Sequence, residues 1–267
     1  MQYALLENWQ PVLALAGLAG FWLWESRNPF FEMRGRLKHA VRTLSVAGIN
    51  AVLTVLAFSA LTAAAAAWST GRDFGLVHQL AVPPWSAIGV GMITLDLWTY
   101  LWHRANHRVP LLWRFHRMHH SDENMDVTTA TRFHFGEIAI STAVRLGPVL
   151  LLGIPAEAIL AYDIVLLAVT QFHHSNIGLP DRIDQRLRYV IVTPNMHRVH
   201  HSQERPETDS NYSSVLSVWD RLFRTYREHA DYRRIRYGLK RMVGDRFQSF
   251  LGMMGTPFRR LPEEADR

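Results

Sequence analysis

The stretch HRANHRVPLLWRFHRMHH, residues 103–120, contains five histidines in eighteen positions. The whole chain has 14 histidines in 267 residues, so a window of this size should contain about one (14/267 × 18 ≈ 0.9). The same stretch holds four arginines, and protonated histidines beside them would only add to the electrostatic repulsion. The crowding therefore indicates neutral imidazoles that bind a cation, and a metal ion is the cation that imidazole commonly binds.

Long apolar blocks lie on both sides of this stretch, although the mean hydropathy of −0.05 resembles that of a soluble protein. Residues 46–68 form a run of 23 without a charged side chain, which fits a membrane-spanning helix of about 20 residues. We therefore predict an all-α integral membrane bundle with about four to five membrane segments; a soluble bundle with a buried run is the disfavoured alternative. The other candidate segments are residues 9–24, 85–102, 138–154 and 158–172, the last two joined by Pro155–Glu157.

The basic residues predict how this bundle is oriented. Residues 25–48, residues 103–136 and the chain after residue 174 carry most of the arginines, whereas the 69–84 loop carries only Arg72. The positive-inside rule then places the histidine-rich segments and the C-terminus on the cytoplasmic side. The net charge of +6 is interpreted as a membrane-facing feature, because no nucleic-acid-binding motif accompanies it.

The chain lacks cysteine and a basic N-terminal region, and both absences restrict the kinds of site and processing to be expected. The chain contains no cysteine, so neither a disulfide nor a thiolate metal site is expected. The N-terminus has Glu7 where a cleavable signal would carry basic residues, so we do not expect a signal peptide. Histidine is left as the abundant borderline ligand, and imidazole suits zinc, copper, iron and nickel alike.

Ten of the fourteen histidines fall beside the predicted cytoplasmic ends of the apolar segments, at helical spacings. They form the pairs and triplets of HRANH, HRMHH, QFHHSN and HRVHH. Only one of the adjacent pair is expected to bind, with His174 favoured, because neighbours on a helix point about 100° apart. We interpret His39, His78 and His229 as residues of the membrane interface. The candidate metal ligands are His103, His107, His116, His119, His120, His173, His174, His197, His200 and His201.

With these motifs, the chain resembles the fatty acid hydroxylase superfamily, the sterol-desaturase-like membrane proteins. The resemblance runs from about Asp96 to Tyr226, and it rests on the three histidine boxes, on HHSN and on TDSNYSSVLSVWDRLFRTY at residues 208–226. It implies a membrane-embedded helical fold with a cytosolic histidine-rich cap. It also implies a non-haem di-iron centre that uses O2 to hydroxylate or desaturate a lipid, with the histidines of the boxes and His174 or His173 as ligands.

Two alternatives remain open at this point. A membrane zinc hydrolase would also use histidines, although the chain lacks H-E-x-x-H and has more histidines than one zinc needs. A non-catalytic metal-binding or transport protein is the other, but transport would spread ligands across the bilayer. Zinc is expected as a possible substitute for iron in purified protein.

Other polar residues are candidates for catalytic or supporting roles. Asp96 lies seven residues before His103 and is predicted to orient that ligand from below. Arg145 is expected to pair with Asp163, or else to contact substrate. His134 is left as a ligand, a supporting donor or a substrate contact. Acceptors for the second ring nitrogens are sought among Asp122, Glu123, Asp126, Glu137 and Asn195.

We treat residues 1–267 as one membrane domain in three parts, namely N-terminal membrane helices (1–95), the histidine-box region (96–228) and a C-terminal tail (229–267). Apolar residues from 215 to 226 recur at helical spacing and predict an amphipathic helix. Residues 261–267 are expected to be disordered. Because no dinucleotide loop or haem domain is recognisable, the expected partners are a lipid substrate, membrane lipids and a separate electron donor.

Overall fold

The computed structural model of the protein describes residues 2–54, 60–80 and 82–260. Within these ranges the chain is all-α, with only isolated β-bridges such as Pro29–Ile177 and Ile191–Leu216, so the predicted fold class is confirmed. Single 3₁₀ turns lie at Val127–Thr131, Tyr232–Arg234 and Thr256–Phe258. The helices are α1 (Gln2–Arg27), α2 (Arg36–Thr54), α3 (Ala60–Gly71), α4 (Leu76–Gln79), α5 (Pro84–Arg108), α6 (Pro110–His120), α7 (Phe135–Leu152), α8 (Ala156–His174), α9 (Asp181–Leu187), α10 (Pro194–His200), α11 (Arg205–Thr208), α12 (Val218–Leu222), α13 (Asp245–Gln248) and α14 (Phe250–Met254).

Two helices, α7 and α8, are long and apolar enough to cross a membrane, with mean hydropathies of 1.5 and 1.3. Only 11% of the α7 residues are buried inside the protein, so most of its apolar surface is available to lipid. Leu152 and Ala156 bound the connection between them, where Gly153 takes the left-handed conformation with φ 68°. The predicted hairpin of residues 138–172 is thus confirmed as two helices with a short turn.

Among the described residues, this measure gives fewer candidate spans than the four to five membrane segments predicted. The pair of segments Ala60–Gln79 and Pro84–Arg108 is bent by 83°, and it adds a third span if counted as one. The predicted segment 9–24 lies within α1, which is not among these candidates. The predicted 46–68 segment includes residues 55–59, which lie outside the described residues, as does the 261–267 tail.

Helix α8 is the central element, since it packs against α1, α5 and α10. A Cβ atom added to Gly91 of α5 would lie 2.8 Å from the Cβ of Ala158, so small residues allow these two helices to approach closely. Arg145 of α7 donates a hydrogen bond to Asp163 of α8 at 2.7 Å. This is the pairing that was one of the two expectations for Arg145. The buried apolar cluster around these helices comprises Ala66, Leu95, Val149, Ile154, Ala158, Ile159, Tyr162 and Val215.

We call α6 and the segment from α9 to α12 the cap; within it, α6 packs against α5 and α10 packs against α8. Proline begins α6 and α10, where its fixed φ suits the first helical position and its missing N–H is not needed. The predicted amphipathic helix over residues 215–226 is wrong, because only Val218–Leu222 is helical. The helix ends there because the Asp220 carbonyl accepts the N–H groups of Thr225 and Tyr226, with Arg224 at φ 58°.

Candidate metal centre

The structure gathers nine of the ten predicted ligands into two adjoining groups. In each group, one ring nitrogen per histidine lies within 4.8 Å of the others, and every member is buried. The groups touch each other, since the ring centroids of His120 and His201 are 4.6 Å apart. The five-histidine group consists of His103, His107, His116, His120 and His200. The four-histidine group consists of His119, His174, His197 and His201.

The ring nitrogens of the four-histidine group converge on one another. His174 Nε2 lies 3.1 Å from His119 Nε2 and 3.0 Å from His197 Nε2, and His201 Nε2 lies 3.1 Å from His197 Nε2. The Nδ1 of His174 donates to the Thr170 carbonyl at 2.8 Å, so in the neutral ring Nε2 carries a lone pair. Lone pairs facing one another in this way fit a metal ion better than a hydrogen-bond chain.

Backbone carbonyls orient two rings of the five-histidine group in the same manner. His103 Nδ1 donates to the Tyr212 carbonyl at 2.8 Å, and His200 Nδ1 donates to the Ser210 carbonyl at 2.7 Å. His103 Nε2 is then 3.1 Å from His116 Nε2. The second nitrogen of a metal-bound histidine commonly donates to such an acceptor, which sets the tautomer and the ring orientation.

Unpartnered ring nitrogens provide the test of whether a metal fits. Among the described residues, both nitrogens of His107 and of His120, and Nε2 of His200, are buried without a hydrogen-bond partner. Buried polar atoms are nearly always satisfied, so these rings are incomplete without a further atom between them. A bound metal would take one nitrogen of each of these rings, including Nε2 of His200, and the residues therefore fit a metal.

The protonation of these histidines is set by their surroundings. Burial lowers the pKa of His200 to about 3. Positively charged imidazoles packed this closely would also repel one another, which favours neutral rings that can bind a cation. Burial first, and neighbouring histidines second, lower the pKa well below its usual value in His119, His120, His197 and His201.

Glu137 is the one carboxylate candidate that contacts a ligand in the described residues. Its Oε1 accepts a hydrogen bond from His116 Nδ1 at 2.7 Å, and Oε2 is buried without a partner. Glu137 lies in the first turn of α7, and its hydrogen bond to His116 connects this turn to the five-histidine group. His173 lies outside both groups, with its ring 4.0 Å from that of His197, and His174 as the ligand stays a prediction.

The other acidic candidates bind elsewhere. Asp122 and Asp126 contact His39 of α2, at 2.9 Å from Nε2 and 3.2 Å from Nδ1, rather than a ligand. His39 is thus buried in an ion-pair network and is not the interface residue that we expected. Glu123 accepts instead from Gly244 N–H and from the Gln248 side chain.

Asn195, Asp96 and His134 also lie outside the two histidine groups. Asn195 accepts a hydrogen bond from Arg198 at 2.6 Å. His134 is the N-cap of α7, where its Nδ1 accepts from Gly136 N–H at 3.0 Å. Asp96 accepts from the indole N–H of Trp219 at 2.7 Å and so ties α5 to the cap, rather than orienting His103.

Asp220 and Glu25 are supporting residues that the sequence did not single out. Asp220 is fully buried and accepts from the N–H groups of Tyr212 and Ser213 at 2.8 and 2.9 Å, which holds the carbonyl that binds His103. Asp220 lies within residues 208–226, one of the motifs that carry the family resemblance, and this position was the signal that could have identified it. Glu25 accepts from Asn176 N–H at 2.7 Å, next to the end of α8, and nothing in its local sequence indicated this.

Fold and site define a helical, histidine-rich metalloprotein with apolar membrane helices. A family model described as fatty acid hydroxylase matches residues 88–225, just over half of the chain. The chain belongs to the fatty acid hydroxylase family, and it is a membrane protein by this membership and its apolar helices. No solved structure matches it.

Three curated relatives show the range of chemistry in similar chains. The ornithine lipid hydroxylase of Rhizobium tropici is 30% identical over 171 residues, which is 64% of this chain and 50% of the relative. The alkylglycerol monooxygenase of Homo sapiens is 30% identical over 232 residues, 85% of this chain and 48% of the relative. A very-long-chain aldehyde decarbonylase of Oryza sativa is 27% identical over 164 residues, which is 56% of this chain and 26% of the relative. The chain spans about half the length of the first two relatives, or less in the third.

Proposed function

We propose that this chain is a membrane-bound non-haem di-iron oxygenase that uses O2 to hydroxylate a lipid C–H bond. The observation that carries the proposal is the pair of adjoining buried groups, with five and four histidines, each able to hold one metal ion. The hydroxylase and monooxygenase names of the two 30% identical relatives favour hydroxylation over desaturation.

Two irons would be held by the five-histidine and four-histidine groups, and bound iron would supply the oxidising power that an unactivated C–H bond requires. The chain's own residues prepare this site. The Tyr212 and Ser210 carbonyls and Glu137 accept the second ring protons, which leaves the opposite nitrogens unprotonated. The burial of every member keeps bulk water away from the reacting atoms. The chain thus contributes ligand orientation and a dry environment.

The proposed substrate is a lipid with a long alkyl chain. The relatives act on lipids by their names, namely ornithine lipid and alkylglycerol. Helix α7, whose side chains are largely exposed, begins at Phe135, two residues before Glu137, which accepts a hydrogen bond from His116. A lipid in the bilayer can therefore reach the metal end of the helix without leaving the apolar phase.

Electrons must come from a separate donor in this proposal, because the chain shows no dinucleotide loop. By the positive-inside rule, the histidine groups and the C-terminus lie on the cytoplasmic side, where a carrier can dock. An acidic carrier would be attracted by the arginine-rich face, and turnover would then fall as salt is raised. The proposed roles of Asp96, Asn195 and His134 are to position the cap and the start of α7.

The decisive experiment is metal analysis and lipid oxidation with detergent-purified protein. Wild-type protein should contain about two irons per chain after anaerobic iron reconstitution, and it should hydroxylate an alkylglycerol or ornithine lipid when given O2 and a reductant. His119→Ala should lose about one of the two irons and its activity but still insert in the membrane. His229→Ala is the matched control, since His229 lies outside both groups and pairs with Glu207 at 3.6 Å.

Three results would contradict the proposal. Full activity in His119→Ala would remove the ligand assignment. Stoichiometric zinc that iron cannot replace, with hydrolysis of a lipid ester, would favour the zinc hydrolase instead. Failure of the reconstituted iron protein to react with O2 would exclude an oxygenase.

A further inference from the structure

A cationic pocket lies beside the metal centre and has no part in the proposed oxidation. Its volume is about 360 Å³, and it lies between the start of α2, the loop after α6 and the start of α13. Four of its lining residues are permanent cations, and two are carboxylates. The charged lining residues apart from His39 are Arg34, Lys38, Arg42, Arg132, Glu123 and Asp245.

Both carboxylates already have partners. Asp245 accepts from Lys38 at 2.7 Å and from Arg42 at 3.0 Å, at an exposed position on the rim. Glu123 accepts from Gly244 N–H at 2.7 Å. One shared carboxylate cannot neutralise two cations, so the pocket keeps an excess of positive charge that favours an anion.

Arg34 and Arg132 contribute in different ways. Arg132 is fully buried, and its guanidinium donates to Gln248 at 2.8 Å and to Ser121 at 3.1 Å. Its Nη1 also lies 3.8 Å from an Asp122 oxygen, so the base of the pocket holds a fixed cation paired with a buried carboxylate, and the unneutralised charge lies at the mouth. Arg34 is exposed, and among the described residues no hydrogen bond or ion pair is formed by its side chain. An exposed guanidinium at the mouth, unpaired within the described part of the chain, and a fixed one at the base suit an oxygen-rich anion such as phosphate.

The surface next to the pocket indicates which kind of molecule carries that anion. Leu37 and Val41 are 72% and 61% exposed, and each directly precedes a pocket cation on α2. Exposed leucine and valine beside lysine and arginine are typical of a helix at a lipid–water boundary. The same helix leads into the predicted apolar segment from Val46. The acidic side chains of a soluble protein would not pack against the apolar Leu37 and Val41, whereas a phospholipid has a headgroup for the cations and acyl chains for the apolar residues.

We propose that this pocket binds the phosphate of a phospholipid headgroup, with Arg34 and Lys38 at its mouth and the lipid chains against Leu37 and Val41. The site is separate from the metal centre and requires neither iron nor turnover. Glu123 and Asn124 of its wall follow His120 by three and four residues, so an occupied pocket would brace the loop after the second histidine box.

The test is lipid binding to the full chain in dodecyl maltoside, followed by native mass spectrometry. Dioleoyl phosphatidic acid is compared with dioleoylglycerol, which has the same chains without phosphate. Wild-type protein should bind phosphatidic acid at least about tenfold more tightly. Arg34→Ala should weaken phosphatidic acid binding by about fivefold, and Arg34→Glu by about 25-fold, on the basis of one surface cation removed or reversed.

Arg186→Ala is the matched control, because Arg186 is also exposed, also lacks a described ion pair and lies on α9 away from the pocket. It should change phosphatidic acid binding by less than about twofold. Equal losses in Arg34→Ala and Arg186→Ala would overturn the proposal, since they would show only nonspecific charge. Equal binding of the two lipids would overturn it as well.

Two competitors distinguish the sources of the anion. Inorganic phosphate should displace phosphatidic acid only weakly; displacement at similar concentrations would show a free-phosphate site and overturn the lipid assignment. An oligo-glutamate peptide that competes as well as phosphatidic acid would show a surface for an acidic protein instead. Unchanged iron content in Arg34→Ala separates this result from any failure of the oxygenase proposal.

Discussion

The two H-x-x-H-H motifs have the same spacing but divide their histidines between the metal groups in opposite ways. In α6, His116 and His120 belong to the five-histidine group and His119 to the four-histidine group. In the motif of residues 197–201, the first and last histidines belong to the four-histidine group and the middle one to the five-histidine group. Each short helix therefore supplies ligands to both sites.

Helix geometry explains this division. Positions i and i+4 are only about 40° apart around the axis, whereas i+3 and i+4 are about 100° apart. The first and last histidines of a motif therefore reach one site, and the middle histidine turns toward its neighbour. The comparison teaches that one motif of this spacing can bridge two adjacent metal ions, and that both helices are needed to complete either.

The largest effect is expected from removing one ligand of α6 at a time. His120→Ala should empty the five-histidine group and His119→Ala the four-histidine group, so each variant should retain about one iron. Oxygenase activity should fall at least about a hundredfold in both, because the reaction uses the two irons together. Iron per chain, measured beside turnover, checks the division. Loss of both irons from either variant would show that the groups are not separable.

Glu137→Gln sharpens the difference between the two motifs. Glu137 binds His116 of α6, whereas His197 in the corresponding position of the second motif has an Nδ1 without a described partner. Replacing the carboxylate with an amide should weaken iron binding by about 10- to 100-fold, because an outer partner of this kind sets ring orientation and basicity. Iron titration with a competing chelator measures it. An unchanged affinity would mean that Glu137 does not support the metal.

Asp220→Ala tests whether Asp220 holds the Tyr212 carbonyl that accepts a hydrogen bond from His103 of α5. The change removes the acceptor for the Tyr212 and Ser213 N–H groups, which become buried and unsatisfied. The free energy of unfolding should fall by about 1–3 kcal/mol, and the His103 ring should lose its fixed orientation. Thermal unfolding in detergent and iron titration should both respond. Asp220→Asn, which keeps one acceptor oxygen, should lose less; a larger loss there would contradict the hydrogen-bond explanation.

The smallest effect concerns His39, a buried histidine outside the metal groups. Burial alone would lower its pKa, but Asp122 and Asp126 outweigh burial and raise the pKa to about 10. The folded pKa of His39 lies above the unfolded value near 6.5, so its protonated ring stabilises the folded state. This contribution to the free energy of unfolding is complete below pH 6.5 and is lost as the pH rises toward 10. His39→Gln should lower the free energy of unfolding by about 1 kcal/mol at pH 7 and make it less dependent on pH. An equally steep decline in the variant, measured by unfolding between pH 6.5 and 10, would contradict the assignment.

Much of the metal centre could be predicted from local sequence. The spacing of His103 and His107, and of the two H-x-x-H-H motifs, indicated shared helical faces because α-helical geometry depends only on residue separation. The hairpin of residues 138–172 followed from two apolar runs around a short break. In both cases the deciding interactions are between residues close in sequence.

Long-range partners could not be predicted in the same way. The seven-residue spacing predicts that Asp96 supports His103, yet its carboxylate binds Trp219, which lies 123 residues away. Asp122 and Asp126 were sought as partners of the ligands, yet α2 brings His39 to them instead. A carboxylate binds whichever donor the fold brings near, and chain separation does not limit that choice.

By itself the sequence determined the helical fold, the apolar helices and which histidines are candidate ligands, since these follow from composition and helical period. The tertiary structure alone decided that nine of those histidines form groups of five and four, that His173 lies outside, and that carbonyls of Tyr212 and Ser210 set the ring orientations. Those outcomes depend on how α5, α6, α8 and α10 meet. Such packing involves contacts between distant residues, which local periodicity does not record.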